Sequence, residues 1–481
     1  MKLRNVALLS LAGMLLSSAT VYSYAPTPQS TTIAGLEASI ESASPDQVDL
    51  STFSAGSTLR VDGRVGHPRL VKGAAGETFV LLEVRSEGGA RAATPAPSHL
   101  TLVIDRSGSM RGERLRNAVN GAAAAVDHLG DGDTVSVVAF DDRSSIVVPA
   151  TDISAESRER VKAEIRKITL GGDTCISCGI EDGLAELLRS SGKVDRMIVL
   201  SDGDATAGVR DLAGFRTLST RAREGGISVT TIGAGVTYNQ KILGGIALES
   251  GGGHYFIENT ASLERVFQTE ADKLRATVAT NTEVSIELGE GVQLDRVFDR
   301  TFEKRGNRVV VSLGGFTQGD VKTVLLKVRV PSRKEGAAPV AGVSLAYRDL
   351  VKGEDGRCDG ELAVVVTGDP KGGSELDGVV SGRLQRSETA AALLDANDLW
   401  AQGKVEEAQR RLAGQQQALA SAETAARRAS PKKRSVDVEN DFKGQAGSLS
   451  GASIGLGNNS PKPAADRAVR ANQEQANPFR Q

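Results

Sequence analysis

Between Leu100 and Ile257 short apolar runs alternate with amphipathic stretches, a pattern that few architectures accept. Leu100 to Asp105, Thr134 to Phe140, Ile146 to Pro149, Arg196 to Ser201, Ser228 to Gly233 and Gly253 to Ile257 read as strands. Helical patterns separate most of them. In Glu113 to Leu129 the apolar positions Leu115, Ala118, Val119, Ala122, Val126 and Leu129 fall on one helical face, leaving Arg114, Arg116 and Asp127 toward water. Strand and helix in alternation predict an α/β fold with a doubly wound, mostly parallel sheet. Ile146 to Pro149 follows its predecessor too closely for a crossover helix, so it should pair antiparallel at an edge.

The chemistry sits where these strands end. Asp105-Arg106-Ser107-Gly108-Ser109-Met110 follows the first run directly and puts one carboxylate and two hydroxyls on a tight turn. Ser and Gly crowd ordinary turns too, so this loop alone is weak evidence. Two further loops add weight: Gly171-Gly172-Asp173-Thr174 offers a hydroxyl before a helix, and Met197 to Leu200 runs into Ser201-Asp202-Gly203. A hard divalent cation takes oxygen ligands of this kind. An open α/β sheet places its ligands at the carboxyl ends of its strands.

These loops resemble a von Willebrand factor type A domain with its metal-ion-dependent adhesion site, of the bacterial exported type, over residues 98–280. The resemblance implies a Rossmann-like sheet and a metal site formed by Asp105, Ser107, Ser109, Thr174 and Asp202, holding Mg²⁺, or Mn²⁺ or Ca²⁺. With only two carboxylates the cation stays under-neutralised, so an Asp or Glu from a protein partner can complete its coordination. The implied protein is an exported adhesion or protein-binding module and not an enzyme. The plainer alternative is a cation that merely ties three loops together in a structural or assembly protein of the envelope. Asp202-Gly203-Asp204-Ala205-Thr206 also resembles the Asp-x-Asp-x-Thr motif of haloacid dehalogenase-type phosphatases, which would make Asp202 a nucleophile and Asp204 an acid/base. Chain order speaks against it, because that motif closes the first strand of its domain. There is no phosphate loop or His-Glu-x-x-His helix, and His67, His99, His128 and His254 are scattered.

The 481 residues exceed what one core usually supports. Lys2 and Arg4 before the apolar run Val6 to Leu16 mark residues 1–25 as a signal peptide, too short for a comfortable membrane span. The expected location is periplasmic, cell-surface or secreted, with no transmembrane segment in the mature chain. Residues 26–50 should be a flexible lead-in and 51–97 the first strands of a β-sandwich, among them Thr58 to Val65 and Thr78 to Arg85. Residues 281–370 alternate with period two, as in Val284, Ile286 and Leu288, and should supply the remaining strands. The α/β domain would then be inserted into the sandwich. Residues 385–429 predict a helical hairpin split at Gly403, and Ala396 to Ala408 is similar to part of a tetratricopeptide hairpin, though no second copy follows. The Gly-, Ser-, Asn- and Ala-rich 430–481 should be a disordered tail. A net charge of −2 with interspersed signs gives no electrostatic case for nucleic acid.

Cys175 and Cys178 stand three apart at a predicted helix start beside Thr174. In an exported protein such a pair can close a disulfide. Redox control of the metal loop and zinc binding are the other possibilities, zinc being short of two ligands. Cys358 should stay free.

Overall fold

The computed structural model describes residues 50–480 apart from 90–94, 190–192, 236–237, 430–434 and 458–459. The expected signal peptide and nearly all of the lead-in lie outside the described residues. The chain opens with β1 (Thr52–Gly56), β2 (Leu59–Val65), β3 (Arg69–Val71) and β4 (Glu77–Ser86). It then builds the α/β region from β5 (Ser98–Asp105), α1 (Glu113–Asp127), β6 (Thr134–Phe140), β7 (Ser144–Asp152), α2 (Ala155–Ile165), α3 (Ile176–Leu188), β8 (Val194–Ser201), α4 (Leu212–Glu224), β9 (Ser228–Ala234), α5 (Gln240–Ser250), β10 (His254–Ile257) and α6 (Leu263–Arg275). The strands order as β10-β9-β8-β5-β6-β7. All neighbours are parallel except β7, which pairs antiparallel with β6 at the edge as its short connection requires. β5 is buried along its whole length, with helices covering both faces of the sheet.

Seven more strands follow: β11 (Thr277–Leu288), β12 (Gln293–Phe298), β13 (Glu303–Arg305), β14 (Arg308–Thr317), β15 (Val321–Arg329), β16 (Gly336–Asp349) and β17 (Glu354–Thr367). They combine with the first four into two sheets, β1-β2-β4-β15-β12 and β13-β14-β11-β16-β17-β3. One core joins the inner faces, with Val61, Val80 and Leu82 from the first sheet against Ile286, Val311 and Val343 from the second. Each sheet therefore mixes strands from before and after the α/β region. Ser86, at the exit, donates from Oγ to the Thr317 carbonyl at 2.7 Å, and Thr277, at the return, pairs with Thr317.

The C-terminal part departs from expectation. A helical pair is present as α7 (Gly378–Ala401) and α8 (Val405–Ala429), but the expected disordered tail forms α9 (Ser435–Gly455) and α10 (Lys462–Phe479). The physical reason is a stripe hidden in a polar composition. Val438, Phe442, Gln445, Leu449, Ala452 and Leu456 recur at heptad spacing and are all buried. Small residues then bring the backbones together: a Cβ on Gly455 would stand 2.3 Å from that of Ala468. On α10, Asn472 donates to Asn397 Oδ1 at 2.8 Å, and Asn397 donates to the Val469 carbonyl at 2.8 Å, tying α10 to α7. Among the described residues no helix is long and apolar enough to cross a membrane.

Candidate metal centre

In the central sheet the chain moves from β5 outward to β6 and β7 and then returns to β8 on the other side of β5. The crevice between the carboxyl ends of β5 and β8 is thus the switch point of the sheet, where such folds bind ligands. Asp105 ends β5 and Asp202 follows β8. Three loops meet here and brace one another through their backbones. Gly108 N–H donates to the Gly172 carbonyl at 2.8 Å, and Gly171 N–H to that of Arg106 at 2.6 Å. Gly171 admits no side chain, since a Cβ would lie 1.9 Å from Asp141 Oδ2. Thr206 and Ala207 N–H both donate to the Thr174 carbonyl, at 2.9 and 3.1 Å, and Thr174 N–H donates to Thr206 Oγ1 at 2.9 Å.

The five expected residues come together on this frame. Asp105 Oδ1 accepts from Ser107 N–H at 2.8 Å and Oδ2 from Ser201 Oγ at 2.6 Å. Ser107 Oγ lies 3.0 Å from Ser109 Oγ, and Ser109 Oγ donates to Asp202 Oδ1 at 2.5 Å. Thr174 reaches the group across Gly203, where a Cβ would stand 3.6 Å from Ser109 Oγ and 3.8 Å from Thr174 Oγ1. Both carboxylates are fully buried. Burial, with a smaller contribution from Asp202, pushes the Asp105 carboxyl up to about 6 against the opposing hydrogen bonds from Ser107 and Ser201. The donor set is oxygen only, two carboxylates with three hydroxyls, which suits a hard divalent cation. Among the described residues no three His, Cys, Asp or Glu side chains gather into a cluster.

Two participants escaped the sequence. Ser201 reads there as the last residue of a strand, yet its hydroxyl orients Asp105. Arg114 reads as facing water. It instead donates to Asp202 Oδ2 at 2.7 Å and to the Ser109 carbonyl at 3.3 Å, because the first turn of α1 overhangs the crevice. Its helical phase was legible, but its reach toward a carboxylate 88 residues away was not. Asp204, the second carboxylate of the phosphatase-like motif, is exposed, whereas Asp202 is enclosed. Cys175 and Cys178 form a disulfide with their Cα atoms 5.3 Å apart, and Cys358 is free. The bridge lies under the third loop: Gly208 has φ +67°, and a Cβ there would come 2.5 Å from Cys175 Sγ.

Fold and strand-end loops together define a domain of the von Willebrand factor type A class, and residues 99–269 match the family model for the von Willebrand factor type A domain. The chain carries such a domain, flanked by further sheets and helices. The uncharacterized protein sll0103 of Synechocystis sp. is 29% identical over 276 residues, covering 54% of this chain and 63% of that protein. Inter-alpha-trypsin inhibitor heavy chain H4 of Bos taurus is 27% identical over 198 residues, covering 38% of this chain and 21% of the relative. The matches thus span less than two-thirds of either relative. Among solved structures, the von Willebrand factor type A protein from Catenulispora acidiphila superposes with a TM-score of 0.66 at 18% identity, covering 82% of this chain and 91% of that one. That likeness extends beyond the central sheet and is one of fold.

Proposed function

We propose that this protein is an exported protein-binding module that captures its partner through a divalent cation, Mg²⁺ or one of its substitutes, held by Asp105, Ser107, Ser109, Thr174 and Asp202. The observation that supports this most is the convergence of two fully buried carboxylates and the Ser107 and Ser109 hydroxyls in one hydrogen-bonded chain at the switch point of the sheet. Arg114 already offsets part of the charge on Asp202, and a divalent cation would balance what remains of two buried acids side by side. A cation bound there would supply Lewis acidity toward a carboxylate from solvent, since two negative charges leave a divalent ion with no surplus of ligand charge. The protein residues do the positioning. Ser201 and the Ser107 N–H fix Asp105, Ser109 fixes Asp202, and the loop-to-loop backbone bonds hold Thr174 opposite.

The partner that this reading calls for is a protein that presents an Asp or Glu side chain at its surface. Affinity capture on the immobilised chain, with Mg²⁺ and with EDTA, tests the proposal. Proteins retained only with Mg²⁺, and displaced by high concentrations of a small carboxylate, are the expected result. Capture that is indifferent to EDTA and unchanged in Asp105→Ala would move the binding activity elsewhere on the molecule.

A further inference from the structure

Away from the strand-end crevice, a cavity of about 260 Å³ opens where three parts of the chain meet. Its walls come from α4 and α5 of the α/β region, from β14 and the β12–β13 connection of the sandwich, and from Arg480 just beyond α10. Four guanidiniums line it, those of Arg216, Arg223, Arg300 and Arg480, with two carboxylates, Glu249 and Asp299. Both acids are already engaged. Glu249 stands 3.1 Å from Arg216 and 3.7 Å from Arg223, and Asp299 stands 3.0 Å from Arg480. Four positive charges less two negative ones leave an excess of two.

That excess sits where water screens poorly. The side chains of Arg223 and Arg480 are only 18% and 27% exposed, and burial lowers the Arg300 guanidinium to about 10. Charge held in such surroundings calls for a counter-charge with hydrogen-bonding oxygens. Guanidiniums present planar forks of N–H donors that match phosphate oxygens in pairs. We propose that this cavity binds a small phosphate-class dianion, which clamps the α/β region, the sandwich and the C-terminal end to one another. A phosphomonoester carries about 1.5 to 2 negative charges at pH 7 and offsets most of the excess, and bound inorganic phosphate can do so as its dianion, whereas a single carboxylate would leave half of it. The volume is below that of pockets for drug-sized ligands, which limits the guest to a compact group.

Calorimetric titration of the full chain in EDTA, at fixed ionic strength, with inorganic phosphate in one arm and glycerol 2-phosphate in the other, tests the site. Saturable one-to-one binding is expected in at least one arm, and the tighter arm identifies free phosphate or an organic monoester as the source. The variants that test it are Arg216→Gln, at a side chain 60% exposed, and Arg480→Gln, both of which spare the core. Arg480→Gln should weaken binding about tenfold or more, the loss expected for one desolvated charge-assisted contact, and Arg216→Gln by a smaller factor because its side chain is exposed. Asp105→Ala should bind phosphate as the parent does, which separates this site from the metal proposal. Absence of saturable binding in both arms, or undiminished affinity in both variants, overturns the inference.

Discussion

Asp105 is held through both its oxygens, by Ser107 N–H and by Ser201 Oγ, so its position is set by the loop and does not depend on a partner. Asp105→Ala should therefore remove Mg²⁺ binding in calorimetry while leaving the far-ultraviolet circular dichroism intact, and undiminished affinity would defeat the assignment. Arg114 acts in the opposite sense. Its guanidinium 2.7 Å from Asp202 is a competing cation, so Arg114→Gln should tighten Mg²⁺ binding by about tenfold, a modest share of the interaction between near-contact charges at a protein surface. A weaker site in that variant would instead make Arg114 a positioning residue for Asp202. His254 offers a pH test at the far edge of the same sheet. Burial between Thr231 Oγ1 at 2.8 Å and the Tyr238 hydroxyl at 3.2 Å lowers its imidazole to about 4. Between pH 6.5 and 4 the unfolded chain then takes a proton that the folded one refuses, so this residue's contribution is fully present above 6.5 and falls away on acidification, by on the order of 3 kcal/mol in all. Asp195, raised to about 7 by burial, slopes the other way, so the measurement is a difference: His254→Gln should lose stability relative to the parent at pH 7 and close that gap toward pH 4 in urea titrations. A gap that does not change with pH would show that His254 titrates normally. At this scale the candidate site residues were legible because hydroxyls and carboxylates at three strand ends form a pattern along the chain. Ser201 and Arg114 were not, because what recruits them is proximity across the crevice.

Among the elements, strands were the easier to foresee. Period-two alternation in β11 and the mostly apolar run Leu100 to Ile104 in β5 state their environments directly, one half-buried and one enclosed. The last two helices show why composition misleads. Gly and Ser are the commonest residues of α9, and only the phase of its few apolar residues shows that one face packs. Phe442 lies on that face, 1% exposed, and Ile454 off it, 78% exposed. Phe442→Ala should cost about 3 kcal/mol or more in urea unfolding, as large-to-small core changes do, while Ile454→Ser stays near zero. If both are neutral, α9 contributes no packed face. The Cys175–Cys178 bridge is argued at this scale too, because it spans the start of α3 and lies against the loop that follows β8. Alkylation without prior reduction should leave both residues unlabelled and Cys358 as the thiol that reacts on denaturation, as mass mapping can check.

For the molecule as a whole, the consequential feature is that each sandwich sheet is completed only after the chain has passed through the α/β region: β4 pairs with β15, and β3 with β17. Long-range pairings of this kind form late, since the intervening loop must close first. The strand patterns on either side of the α/β region suggested insertion, but which strands pair across it depends on register between segments over 200 residues apart, which a single sequence does not display. The exit and return are close in space, because Ser86 bonds to the Thr317 carbonyl and Thr277 pairs with Thr317 in the sheet. Domains inserted at such adjacent ends commonly fold alone. A fragment of residues 95–276 should therefore unfold cooperatively in urea, with a smaller denaturant dependence than the full chain in proportion to the surface it buries, and it should keep the Mg²⁺ affinity of the parent. It should also be less stable than the same region in the full chain, because excision strips α10 from β10 and α5, including the Gln473 side chain seated at Gly244. A fragment that aggregates or melts without a cooperative transition would show that the central sheet depends on the surrounding helices and sandwich to fold, and that the proposed metal centre belongs to the assembled chain.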